Sequence, residues 1–169
     1  HLNGIETNFI TQHVSLVLGD QGLTLVDVGA AGAIEHRWKR IESLINYIGF
    51  EPDERSYKNL INKSHACRSY SLHQKALWSS NTEIKFKFCE GSEQSSNFAP
   101  NYELVDLFPQ KERFKIEKLS ALHACELDQL VQNKVDFVKI DTQGGELAIL
   151  QGATNKVLKN VLGLELELG

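Results

Sequence analysis

The run Leu23-Thr24-Leu25-Val26-Asp27-Val28, followed by Gly29-Ala30-Ala31-Gly32, restricts the architecture of this chain more than any other stretch. A nearly unbroken apolar run of this length suits a strand covered on both faces, as the strands of a parallel sheet are. Gly29 and Gly32 then allow a sharp turn and a close backbone approach to a ligand without a Cβ in the way. Beyond the turn, Ile34, Trp38, Ile41, Leu44 and Ile45 recur at near-helical spacing. That periodicity predicts an amphipathic helix whose first N–H groups lack internal partners and face the turn. Strand, glycine turn and helix form the opening unit of an α/β sheet that binds an adenosine-type cofactor.

The rest of the chain extends this unit. Glu6 to Leu18 has helical spacing and predicts a leading helix laid over the sheet. Asn46 to Phe50 reads as a second strand, ended by Glu51-Pro52, and Asp53 caps a helix carrying Tyr57, Leu60 and Ile61. Ser69 to Leu77, Glu83 to Cys89, Phe114 to Ile116, Val135 to Ile140 and Val161 to Leu168 read as further strands, with short helices after Leu127 and Glu146. Strands alternating with helices predict a doubly wound, mostly parallel α/β sheet of the Rossmann-like kind. The chain reads as one domain over residues 1–169, with a leading helix and turn over 1–22 and the cofactor-binding sheet and helices over 23–169. The binding crevice of such a sheet lies outside the carboxyl ends of its strands. That rule gathers Gly29 to Gly32, Glu51, Ala76 to Trp78 and Asp141 to Gly144.

Composition removes several classes of function. A net charge of -4 is the wrong sign for a nucleic-acid binder. No apolar run is long enough to span a bilayer. Cys67, Cys89 and Cys125 are widely spaced, odd in number and without a CxxC pair, which fits free thiols in a reducing, cytoplasmic setting. The expected partners are a small-molecule or carbohydrate acceptor, and a homodimer is compatible with the composition. The chain begins at His1 and has no methionine, so it reads as lacking its translation start.

Glu51 lies about twenty residues past the glycine turn, where an acidic side chain can accept hydrogen bonds from both ribose hydroxyls of an adenosine cofactor. A dinucleotide fingerprint would need glycine two and five positions after Gly29, and the chain has Ala31 and Ile34 there. The pattern Asp27-x-Gly29-x-Ala31-Gly32 is nearer the turn that holds the methionine and ribose of S-adenosylmethionine, with NAD left as the alternative. Lys139 and Asp141 alternate out of an apolar strand toward one face, near the sheet's carboxyl edge. Charges there form an ion pair or a site, because an unpaired buried charge is costly. Asp141 is the first candidate for a general base. Glu165, Glu167 and His73 are weaker ones, and Glu146 suits a helix start through the helix dipole. The polar stretch from Ser95 to Asn101 reads as a lid or acceptor-binding segment.

Gly29-Ala30-x-Gly32, Glu51-Pro52, Ala76-Leu77, Leu127-Asp128-x-Leu130 and Lys139-Ile140-Asp141-x-x-Gly144-x-Glu146 with Leu150-x-Gly152-Ala153 together resemble the FkbM-type methyltransferases. The resemblance runs over nearly the whole chain and is most specific from Lys139 to Ala153. It implies S-adenosylmethionine as cofactor and a hydroxyl of a sugar, glycan or secondary metabolite as acceptor. The implied cofactor-binding residues are Asp27, Gly29, Ala30, Gly32, Glu51, Pro52, Ala76 and Leu77, with Asp141 catalytic. Two positions depart from the pattern: Ala31 where asparagine is common, and Gln143 where glutamate is usual. The second removes one carboxylate, so a divalent metal, for instance on Asp141 and Glu167, is not favoured. Sheets of this type have seven strands, and the stretch ending at Gly169 looks like the fifth, so the chain reads as truncated at its C-terminal strands. The alternatives are an NAD-dependent oxidoreductase or epimerase, and an inactive methyltransferase fold used for binding.

Overall fold

The computed structural model describes residues 2–32 and 34–167. Its main sheet joins β1 (Leu23–Val28), β2 (Ile45–Phe50), β3 (Ser69–His73), β7 (Phe137–Ile140) and β8 (Gly163–Leu166) in the order β3-β2-β1-β7-β8. Every pairing in it is parallel. The chain winds outward from β1 in one direction and then, from β7, in the other. The switch lies between β1 and β7, where a doubly wound sheet opens its crevice. The architecture is α/β and Rossmann-like, as the strand and helix order predicts.

Alternation along β1 explains why the sheet is covered on both sides. Val26 and Val28 face a cluster with Phe50, Val138, Ile140, Leu127, Val131 and Ile149. Leu23 and Leu25 face the other way, onto Ile34, Ile45 and Tyr47, with Trp38 and Ile41 packed against them. Asp27 has the parity of this second face and is buried there, which sets up the charge cluster described below.

Several elements differ from the sequence expectation. Among the described residues no α-helix follows the glycine turn. Glu35 to Trp38 turns through three-residue hydrogen bonds, and a short 3-10 helix, Lys39–Leu44, leads into β2, which starts one residue early at Ile45. The apolar residues still face the sheet, but Glu35 is drawn to the buried Lys139 and Ile45 into the strand register. These tertiary contacts override the helical periodicity. The helix α1 (Leu2–Leu18) lies against this 3-10 segment, with the Thr11 hydroxyl donating to the Arg40 carbonyl at 2.8 Å. It leaves Phe9 and Val17 exposed instead of covering the sheet with them.

The predicted strand Ser69 to Leu77 is two strands. A tight turn closed by the Lys75 N–H on the His73 carbonyl takes the chain out of the main sheet. The piece β4 (Ala76–Leu77) joins a second sheet, of order β4-β6-β5, with β5 (Thr82–Cys89) and β6 (Ile116–Cys125). Strand β6 runs ten residues where only Phe114 to Ile116 was expected. It is antiparallel to β5 and largely exposed, so its sequence lacks the apolar alternation that marks a half-buried strand. The helix α2 (Glu54–Ile61) follows β2, and the short helices α3 (Tyr102–Val105), α4 (Leu127–Leu130) and α5 (Glu146–Gln151) complete the fold. Gly152 ends α5 with an ordinary negative φ; it must be glycine because a Cβ would sit 2.2 Å from the Trp78 carbonyl oxygen.

Candidate functional site

The turn after β1 is held by the sheet itself. Gly29 adopts φ 80°, and a Cβ on it would lie 1.8 Å from the Asp141 carbonyl oxygen. The neighbouring strand end therefore by itself requires glycine at this position. The N–H groups of Gly29 and Ala30 both donate to the Phe50 carbonyl, at 3.0 and 3.1 Å. Gly32 is different. A Cβ there would meet nothing within 4 Å, so this residue opens onto free space beside the cleft.

A charge cluster lies beneath the turn. Asp27 and Lys139 sit opposite each other on β1 and β7, and Glu165 continues the row on β8. The Lys139 ammonium, 8% exposed as a residue, lies 3.5 Å from Asp27, 3.4 Å from Glu35 and 3.7 Å from Asp141. Burial alone would lower its proton affinity, but the three carboxylates outweigh burial and leave it raised. Asp27 also accepts from the Tyr47 hydroxyl at 2.8 Å, and burial raises its carboxyl above the usual range despite the lysine. Glu165 bonds Arg37 at 2.9 Å and does not line the cleft. Glu167 stands by Asp141, and the Asp141 charge raises its carboxyl.

Glu51 is 4% exposed at the end of β2. Its Oε1 accepts the Asp53 N–H at 2.7 Å, and among the described residues no other donor reaches the carboxyl. Burial pushes it up to about 8, so the carboxyl is largely protonated at neutral pH. Asp53 caps α2, as its position before the helix predicts, through the Arg55 N–H at 2.9 Å. It also accepts both ends of the Arg55 guanidinium and the Ser95 hydroxyl. Burial works against its charge, but the Arg55 bonds dominate and hold the carboxyl low.

The turn after β7 is organised by Glu146. One carboxylate oxygen accepts the Thr142 N–H, the Thr142 hydroxyl and the Gly144 N–H, each at 3.0 Å. Burial opposes the charge, yet these donors lower the carboxyl below its ordinary value. Gln143 sits at φ 58°, unusual for a residue with a side chain, and its amide donates to Asp141 at 3.3 Å. The polar segment expected to form a lid or bind the acceptor, Ser95 to Asn101, is tied with the preceding Ser92 to its neighbours. Ser92 bonds Ser56, Ser95 bonds Asp53, and the Ser96 hydroxyl donates to the Gln143 carbonyl at 2.8 Å. It forms a strap from α2 across to the turn after β7.

These parts enclose one cleft of ≈ 310 Å³. The sequence-predicted cofactor residues Asp27, Gly29, Ala30, Gly32, Glu51, Pro52, Ala76 and Leu77 line it, as do Asp141 and Glu167. His73 is exposed, stacked on Phe50, and does not line it. Sequence reasoning missed Glu35 and Tyr47, which complete the Asp27–Lys139 cluster. It also missed the clamping role of the strap serines. A buried tyrosine on the strand next to an acidic residue leaves no local signal, because the contact comes from β1–β2 pairing across 20 residues.

A cleft at the switch point of a doubly wound sheet, with an acidic side chain at the end of β2, defines an α/β protein of the Rossmann-like class with a candidate ligand site. The FkbM methyltransferase domain matches residues 27–167, and the chain belongs to that family. The crystal structure of the methyltransferase FkbM from Methylobacillus flagellatus KT, at 2.20 Å resolution, aligns with a TM-score of 0.45 at 14% identity. The alignment covers 79% of this chain and 29% of that one, so the chain spans under a third of the solved protein's length. No curated protein matches the sequence.

Proposed function

We propose that this chain carries an S-adenosylmethionine-dependent methyltransferase site acting on a hydroxyl acceptor. One observation carries the reading: the glycine turn, the buried Glu51 carboxyl and Asp141 all line a single cleft at the carboxyl edge of the sheet. The residues fit such a cofactor. Glu51 has an oxygen with no donor from the described chain, suited to a ribose hydroxyl, and the open space at Gly32 leaves room beside it. The cofactor supplies an electrophilic methyl group on a sulfonium, and the protein's part is to bind, orient and handle the acceptor proton.

In this reading Glu51 accepts from the ribose and Pro52, Ala76 and Leu77 form the apolar wall beside it. Asp141 receives the acceptor's hydroxyl proton. Gln143 and Lys139 hold the Asp141 carboxylate from two sides, which fixes where a hydroxyl would have to lie. The NAD alternative is weakened, because the Gly29 and Ala30 N–H groups that would approach a pyrophosphate already bond Phe50.

Calorimetry with S-adenosylmethionine and S-adenosylhomocysteine tests the reading, with micromolar-range binding expected. Absence of binding by both, alongside tight NAD binding, refutes it. With a panel of hydroxyl acceptors, Asp141→Asn lowers turnover far more than cofactor affinity. Equal turnover in the variant would remove Asp141 from the chemistry.

A further inference from the structure

We infer that Asp141 and Glu167 act as a pair, Glu167 taking the acceptor's proton on from Asp141 and passing it to water. The inference rests on the methyltransferase reading above and concerns how that site disposes of the proton. The sheet brings the two residues together. Lys139 pairs with Glu165 and Ile140 with Leu166 along β7 and β8. The Glu167 N–H then donates to the Ile140 carbonyl at 3.1 Å, which carries the ladder one step further. Asp141 and Glu167 therefore stand side by side at the carboxyl edge, on strands about 5 Å apart. Leu166 packs against the cluster that holds Val26 and Val28, so Glu165 and Glu167 project from the other face, the one carrying Lys139 and Asp141. Asp141 and Glu167 both line the cleft.

Carboxylates on neighbouring strands repel, and the repulsion eases when the two hold one proton between them. The nearby cations are already committed. Lys139 lies 3.7 Å from Asp141 but is shared with Asp27 and Glu35, and Arg37 bonds Glu35 and Glu165. The Asp141 charge is the largest influence on the Glu167 carboxyl and raises it; Glu35 works in the same direction and Lys139 against it. The pair thus binds a proton more readily than a lone carboxylate, which suits a base working near neutral pH. Exposure gives the route its direction. The Asp141 carboxylate is held from two sides by Gln143 and Lys139, whereas Glu167 is exposed at the rim. As the acceptor's O–H electron pair goes to the methyl carbon and the methyl–sulfur pair stays on sulfur, the proton passes to Asp141, on to Glu167 and out to water.

Carboxyl NMR on the whole chain, carbon-labelled at Asp and Glu, tests the pair without an acceptor. Glu167 should titrate above the ordinary glutamate range in the wild type and return to it in Asp141→Asn. A Glu167 titration that Asp141→Asn leaves unchanged overturns the inference. Kinetics test the route. On the hydroxyl acceptor of the panel that turns over fastest, Glu167→Gln should lower kcat roughly two- to fivefold, the scale of an exposed charge interaction, and act on kcat more than on KM. It should also move the acidic limb of the kcat profile to lower pH, and Glu167→Asp should restore part of the rate. A limb that stays in place in Glu167→Gln overturns the inference even where kcat falls, because a merely structural role would lower the rate without moving the limb. Binding of S-adenosylmethionine by a chain whose pair titrates independently leaves the methyltransferase reading standing and removes only this inference. Failure of both S-adenosylmethionine and S-adenosylhomocysteine to bind the wild-type chain overturns the two together.

Discussion

Glu51→Gln should make the ligand-free protein more stable while weakening its hold on an adenosyl cofactor. The Glu51 carboxyl goes from an ordinary value of 4.5 to about 8 on folding, through burial. A folded-state value above the unfolded one means the group favours folding least at high pH. The penalty is absent below about pH 4.5, grows as pH rises, and levels off above about 8. At pH 7 the unfolded chain has released this proton and the folded chain retains it, a difference of about 3 kcal/mol against folding. Glutamine keeps an oxygen for the Asp53 N–H and has nothing to ionise. The variant should therefore gain about 3 kcal/mol at pH 7, a rise of roughly 6–12 °C in Tm for a domain of this size. At pH 4.5 the gain should vanish. Thermal melts of both proteins from pH 4.5 to 8.5, without ligand, give the answer. Parallel pH profiles for wild type and variant would refute the reasoning, because they would mean that Glu51 ionises in the folded state as readily as in the unfolded chain.

The other predictions concern the elements that build the cleft. Gly29→Ala should lose at least about 2 kcal/mol in urea unfolding, since its Cβ would collide with the Asp141 carbonyl at a positive φ. Gly32→Ala should stay within about 0.5 kcal/mol of wild type in the same assay, as open space surrounds that position. Lys139→Met leaves Asp27 buried without its cation and should cost about 3–5 kcal/mol, with Asp27→Asn in the same chain recovering much of it. A double-mutant cycle measures that coupling. Asp53→Ala removes the cap of α2 and the partner of Arg55 and Ser95, and should cost about 2 kcal/mol or more by chemical denaturation.

The centre of the main sheet was legible because β1, β2 and β7 are short, mostly apolar runs ended by turn residues, and the carboxyl-edge rule then named the cleft's lining from Gly29 to Asp141. The segment from Glu35 to Leu44 was not legible. Its apolar spacing correctly identified the buried face, but the bond from Glu35 to a lysine 104 positions later, together with the entry of Ile45 into β2, set a tighter geometry. Strand β6 was missed for the opposite reason. It is held by backbone pairing to β5 and buries little, so composition gave no sign of it. The strap's serines were seen as loop residues. Their fixed partners, Ser56, Asp53 and the Gln143 carbonyl, lie on other elements and exist only once the sheet has assembled.

The contact between Gly29 and the Asp141 carbonyl has a mechanical meaning. With no room for even a methyl group between them, the first loop and the end of β7 pack backbone against backbone. The part of the cleft assigned to the cofactor and the part assigned to the acceptor proton therefore share one continuous wall, so a side chain added at position 29 would disturb both. The strap faces that wall from across the cleft and meets it at the turn after β7, where Ser96 bonds the Gln143 carbonyl and Phe98 packs beside Gly144.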